Sequence, residues 1–158
     1  MSTVTPPVRP LSADEEAVIR ALSRVILVVP RVLDADLIRE QRLPLNEYLV
    51  LMTLSEAPSR RMRMSELATA CDLSMSGITR IVARLEGDKL VERVRCENDA
   101  RGWHAVLTDA GLARLEEAWP THLASVRRHI MDHLEGVDRA ELARVLGRFG
   151  TSVRDSGP

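Results

Sequence analysis

A change of hydrophobic period between residues 65 and 107 limits the folds open to this chain more than any other feature. Ser65 reads as the N-cap of a short helix over 66–70, Cys71, Asp72 and Leu73 make a tight connection, and Ser74 reads as a second N-cap. Beyond it Ile78, Ile81, Val82 and Leu85 share one helical face, while Ser76, Arg80 and Arg84 fall at i, i+4 and i+8 on the opposite face. Two helices joined so closely are the signature of a helix-turn-helix. The period then switches to alternation over 90–95 and 103–107, around a polar turn over 97–102, which predicts a two-stranded hairpin. A hairpin is not stable alone, so it is expected to pack beside the helices as a wing. Met62, Arg63 and Met64 before them read as no more than a stub of strand.

The flanks are helical. Ser12 and Glu15 form a capping box, and Val18, Leu22, Val25, Ile26, Val29 and Leu33 then recur at helical spacing, in a helix that Pro30 is expected to kink or end. Leu43 and Pro44 open a second helix with Leu45, Tyr48, Leu49, Leu51, Met52 and Leu54 largely inward, closed near Pro58. After the hairpin, Thr108 to Gly111 cap a long helix carrying Leu112, Leu115, Trp119, Leu123, Val126, Ile130 and Leu134, with a bend expected at Pro120. A last helix begins at Asp138, whose capping box is completed by Glu141. The fold class expected is therefore mainly α with a small β-hairpin wing. Its parts are a flexible tail over 1–11, a helix-turn-helix and wing over 44–109, and a helical region over 12–43 and 110–150. The two segments of that region hold more apolar surface than one lobe covers, and a symmetric second copy is the common solution.

Composition narrows the function classes. The chain has 158 residues, 45% of them apolar, and a formal net charge of −1. That suffices for a core without disulfides or structural metals and excludes disorder. No apolar run approaches the ~20 residues of a membrane span, and the N-terminus lacks a basic signal region, so a cytoplasmic location is expected. Residues 60–104 carry 9 basic against 7 acidic groups, the only net-positive third of the chain. There is no phosphate-binding glycine loop, no G-x-S-x-G elbow and no H-E-x-x-H, so neither an enzyme nor a cofactor is expected.

From Leu73 to Glu86 (LSMSGITRIVARLE) and from Asp99 to Gly111 (DARGWHAVLTDAG) the chain resembles the MarR (multiple antibiotic resistance regulator) family of winged-helix transcription factors. The first segment is similar to the family's recognition helix with its Thr-Arg pair. The second is similar to its Asp-x-Arg wing running into Leu-Thr and the next helix. The resemblance spans roughly Ser12 to Phe149, with the specific motifs confined to 73–111. It implies a homodimer whose terminal helices interlock, a winged helix-turn-helix DNA-binding lobe in each copy, a pseudo-palindromic site on double-stranded DNA, and repression lifted by a small-molecule effector.

On that likeness Ser76, Thr79 and Arg80 are placed for base edges in the major groove and Arg84 nearer phosphate. An ordinary solvated arginine is the competing reading of Arg80. Ser65 and Ser74 are caps first, although the Ser74 helix end also suits a phosphate. Arg101 would enter the minor groove, with Asp99 pairing to Arg101 or Arg95 or simply forming the turn. Arg63 and Arg61 are candidates for the DNA backbone. Tyr48, Trp103 and Trp119 are candidates for an effector site, with simple core packing the commoner role of such residues. Cys71 is expected to be buried, and Cys96 is either an oxidisable thiol or an idle one. His122, His129 and His133 lie along one helix, but no Cys or firmly placed carboxylate completes a set, so no metal is expected. The competing function is a helical dimer that binds a ligand or protein without binding DNA.

Overall fold

The computed structural model describes residues 8–96 and 99–154; the side chains at 96, 99–101 and 150–154 lie outside the described set. Six helices and a three-stranded sheet follow in the order α1 (Ala13–Gln41), α2 (Leu45–Glu56), β1 (Arg61–Arg63), α3 (Met64–Ala70), α4 (Met75–Gly87), β2 (Val91–Cys96), β3 (Asp99–Leu107), α5 (Asp109–His129) and α6 (Arg139–Arg154). Short 3-10 turns at Pro58–Arg60 and Met131–Leu134 join the helices and strands around them.

Most helix starts carry the caps their sequences call for. Ser12 accepts from the Glu15 amide while the Glu15 carboxylate accepts from the Ser12 amide at 2.7 Å. Ser74 Oγ caps α4 through the Gly77 amide, and Thr108 Oγ1 caps α5 through the Gly111 amide. Asp138 Oδ1 accepts from the amides of Ala140 and Glu141 at 3.0 Å. The Glu141 side chain pairs with Arg144 instead of completing the expected box. For α2, where Pro44 has no side chain to offer, Asp34 of α1 reaches across and accepts from the Leu45 amide at 2.8 Å.

Several sequence expectations need correction. Pro30 neither ends nor interrupts α1, which runs to Gln41. The lost amide donor concerns an exposed position, and Leu33 and Leu37 just beyond it are buried, so packing holds the downstream turns in place. Ser65 is not a cap, because α3 starts one residue earlier at Met64; Glu66 instead accepts from the Arg63 amide at 3.2 Å. The two-stranded hairpin is a three-stranded antiparallel sheet in the order β1-β3-β2, with Arg61, Met62 and Arg63 opposite Val106, Ala105 and His104. Positive φ at Ser59 and Arg60 turns the chain onto β3, covering what would otherwise be an open strand edge. The expected polar turn is shorter, since β3 already begins at Asp99. Finally α5 stops at His129, short of Ile130 and Leu134, where the chain tightens into a 3-10 turn.

The core sits where α2, α3, α4, the sheet and the start of α5 meet. Tyr48, Val50, Leu51, Leu54, Leu67, Ile78, Val82, Leu85, Val91 and Ala105 are fully buried there. The apolar stripe of α1 behaves differently in its two halves. Leu33 and Leu37 are buried, whereas Val18, Ile19, Val25, Ile26 and Leu27 are all more than half exposed. Leu146 and Phe149 of α6 are exposed as well.

A polar clamp fastens α1 to α5. Buried Asp36 accepts from Ser125 Oγ at 2.6 Å, lies 3.1 Å from His129 Nε2, and pairs with Arg39 at 2.7 Å. The Ser125 hydrogen bond, joined by Arg39 and His129, outweighs burial and holds the Asp36 carboxyl down at about 2, below its ordinary 3.8. A depressed carboxyl contributes stability that is present above the unfolded-state value and is lost as pH falls through the folded one. Stability measured by urea melts is therefore expected to drop between pH 4 and pH 2, and Asp36→Asn removes that component. At neutral pH, Ser125→Ala is expected to cost about 1–3 kcal/mol, the usual loss for a buried hydrogen bond to a charged group.

Candidate nucleic-acid interface

Helix α4 is positioned from both sides. Its apolar face, Ile78, Ile81, Val82 and Leu85, is buried in the core. The turn that precedes it closes through the Leu73 amide onto Ala68 O at 2.9 Å, with Asp72 at φ 51°. Two ion pairs then fix its far end. Arg84 Nε donates to Glu47 Oε1 of α2 at 2.7 Å, and Glu86 accepts from Arg93 Nε at 2.8 Å and from the Arg93 amide of β2 at 3.3 Å. These donors hold the Glu86 carboxyl below its usual range, with the Arg93 side chain the largest cause. Helix, α2 and wing are thereby tied into one unit.

The opposite face of α4 is presented to solvent. Ser76, Thr79 and Arg80 are all exposed. The Ser76 hydroxyl lies 3.1 Å from that of Ser74, and Thr79 Oγ1 donates to Met75 O at 2.7 Å, so both hydroxyls are oriented. Arg80 has no hydrogen-bond or ion-pair partner among the described residues, leaving its whole fork available. Arg84 differs, being already engaged by Glu47, a partner sequence reading missed. The signal was there: Glu47 is the one acid within the otherwise largely apolar stretch 45–54.

The remaining candidates divide. Arg63 is exposed at the end of β1, beside the N-terminus of α3. Asp99 and Arg101 fall on β3, and their side chains, like that of Cys96, lie outside the described set. Cys71 is half-buried rather than fully enclosed; its thiol donates to Thr53 Oγ1 and is pushed up chiefly by burial.

The three aromatic candidates are not brought together. Tyr48 is fully buried, with its ring 4.4 Å from that of His122, and Trp119 lies 6.5 Å from the same imidazole. Burial raises the Tyr48 hydroxyl to about 12 and lowers His122, so both rings are neutral near pH 7. Tyr48 OH and His122 Nδ1 are buried polar atoms without hydrogen-bond partners. Trp103 lies elsewhere, lining a cavity of about 490 Å³ between the wing and α4. His122 lies against Tyr48 and His129 against Asp36, and no group of three or more metal-ligating side chains occurs among the described residues. No helix of the described residues is long and apolar enough to cross a membrane.

Comparison with known proteins agrees with this geometry. The MarR family model matches residues 43–102, from the start of α2 through most of the wing. AbsC, a MarR family transcriptional regulator from Streptomyces coelicolor, is 38% identical with a TM-score of 0.86, over 94% of this chain and all of that one. Sco3205, a MarR family transcriptional regulator from the same organism solved in complex with DNA, is 32% identical with a TM-score of 0.88, over 96% of this chain and 95% of that one. The transcriptional repressor YetL of Bacillus subtilis (strain 168) is 28% identical over 101 residues, which make up 64% of this chain and 60% of that repressor. With its fold shared along nearly the whole length of two such regulators that are 38% and 32% identical to it, this chain belongs to the MarR family.

Proposed function

We propose that this protein is a homodimeric, sequence-specific DNA-binding repressor that a small-molecule effector releases from a pseudo-palindromic operator. The observation that carries the reading is the α4 face, where Arg80, with no partner among the described residues, and the Ser76 and Thr79 hydroxyls face solvent on a helix tied down by the Glu47–Arg84 and Glu86–Arg93 pairs. A guanidinium on a helix held in place in this way suits a major groove, where an arginine takes guanine bidentately. Residues 44–109 serve as the DNA-binding lobe, with Arg63, Ser74, Arg84, Asp99 and Arg101 on or supporting the backbone and minor-groove contacts. Residues 12–43 and 110–150 form the dimerisation region, supported by the exposed apolar side chains of α1 and α6. Two-fold symmetry puts half-sites about one helical turn apart.

The effector reading rests on the unpartnered Tyr48 hydroxyl and His122 Nδ1, with the Trp119 ring 6.5 Å from the same imidazole. A buried polar atom with no partner carries a desolvation cost that a ligand's hydrogen bond removes. The pair sits on α2, in the proposed DNA-binding lobe, and on α5, in the proposed dimerisation region.

The test is fluorescence anisotropy of the protein on its own upstream DNA and on an unrelated duplex, between about 50 and 200 mM salt. The upstream duplex is expected to bind ~10³-fold more tightly or better, with affinity falling steeply as salt rises. Arg80→Ala is expected to weaken that specific binding by about 1–3 kcal/mol while leaving random-sequence binding nearly unchanged. Absence of binding to any duplex, even at low salt, would leave the helical dimer without DNA binding as the better reading.

A further inference from the structure

The cavity between wing and α4 has a composition that the reading of base edges does not use. Its lining includes Met64, Met75, Thr79, Trp103, Arg63 and Arg93. Trp103 stands opposite Arg95 in the β2–β3 register, two residues before buried Ala105 and four before buried Leu107, so it belongs to the core-facing side of β3. Trp103 is nevertheless 41% exposed, at the cavity it lines. The Arg95 guanidinium lies 5.3 Å from the indole centroid, which fixes the ring from one side. Met75, the first residue of α4, is half exposed beside the same opening. Arg93 is held through Nε and Nη2 by Glu86. The lining thus combines the apolar side chains of Met64, Met75 and Trp103 with those of Arg63, Arg93 and Thr79.

We propose that this cavity seats a sugar-phosphate unit of the DNA strand passing from the major groove under α4 to the minor groove under the wing. Trp103 packs on the deoxyribose, and Arg63 and Arg93 flank its phosphate. The assignment rests on the DNA-binding reading and adds to it a contact that carries affinity without sequence information. A base edge would find few directed donors on an indole and two methionines, whereas a deoxyribose offers the apolar surface such a lining matches. The Arg63 charge suits the anion attached to it, and Arg93, already paired with Glu86, adds a hydrogen-bond donor more than a net charge.

The experiment uses the full chain labelled with 5-fluorotryptophan, whose two tryptophans give two fluorine resonances. Trp103→Phe assigns the pair, and binding of Trp103→Ala and Arg63→Ala to operator and random duplexes is measured across a salt series. The Trp103 resonance is expected to shift on saturation with either duplex. Trp103→Ala is expected to weaken operator and random binding by the same factor, about 3-fold to 10-fold, at unchanged salt slope, because it removes apolar contact and not charge. Arg63→Ala is expected to lower the salt slope by about one. A Trp103 resonance that stays put on DNA, or Trp103→Ala affinities equal to wild type, overturns the seat while leaving DNA binding intact. Loss confined to the operator duplex overturns it too, since Trp103 would then read bases. A wild-type protein that binds neither duplex overturns the seat and the DNA-binding reading together.

Discussion

Replacing Ile26 by Asp is expected to convert the protein to a monomer in sedimentation and to lower its affinity for a two-half-site duplex by at least about 100-fold. Ile26 is 68% exposed on α1, among Val18, Ile19, Val25 and Leu27, so a single chain gains little by burying it. Its substitution is accordingly expected to leave the fold within about 0.5 kcal/mol of wild type, as for other exposed positions. In a dimer the same residue would be enclosed by a second copy, and an unpaired carboxylate there is strongly unfavourable. Two lobes on one duplex bind cooperatively through the effective concentration their linkage creates, and that factor vanishes with the dimer. Unchanged sedimentation would remove α1 from the interface; a monomer with undiminished affinity would show that one lobe suffices.

Gly111→Ala is expected to destabilise the fold by about 1–3 kcal/mol or more, the range for overpacking a rigid site. A Cβ at this position would stand 2.1 Å from Leu90 O and 2.6 Å from a Leu107 methyl. Neither neighbour can give way easily. Leu90 O already accepts from the Thr108 amide at 3.1 Å and from Thr108 Oγ1 at 3.0 Å, and Leu107 is buried in the core. At roughly 2–4 °C per kcal/mol for a chain of this size, the melting temperature is expected to fall by several degrees in differential scanning calorimetry. Because the contact joins the first turn of α5 to the base of the wing, DNA affinity is expected to fall with it. Gly147→Ala is the control: it meets nothing within 4 Å and sits in exposed α6, so a small gain from helix propensity is expected.

Legibility followed the range of the interactions involved. Ser12, Ser74, Thr108 and Asp138 were readable as caps because a cap joins residues two or three apart in sequence. Likewise the buried face of α4 follows from local periodicity, and the alternation of 90–95 and 103–107 from the pleat. Misreadings arose where distant residues override a local preference. Pro30 signals a break by itself, yet the burial of Leu33 and Leu37 carries the helix through it. β1 is three residues long, too short for its own pattern, and exists because β3 pairs with it.

Side-chain partnerships show the same division. Arg80 and Arg84 look alike in sequence, one helical turn apart on the same face. Only the tertiary structure distinguishes them, by placing Glu47, 37 residues earlier, against Arg84 and, among the described residues, no partner against Arg80. Asp36 could not be matched to Ser125 and His129, about 90 residues away, nor Tyr48 to His122, before α1, α2 and α5 were packed. The sequence alone determined the six helices, the two long strands, their order and the winged helix-turn-helix, since hydrophobic periodicity and capping are decided within a few residues. Which charges are spent inside the protein and which are left for a partner was decided only by the tertiary structure, because electrostatic and hydrogen-bond pairing depends on distance in space, and sequence separation says little about that.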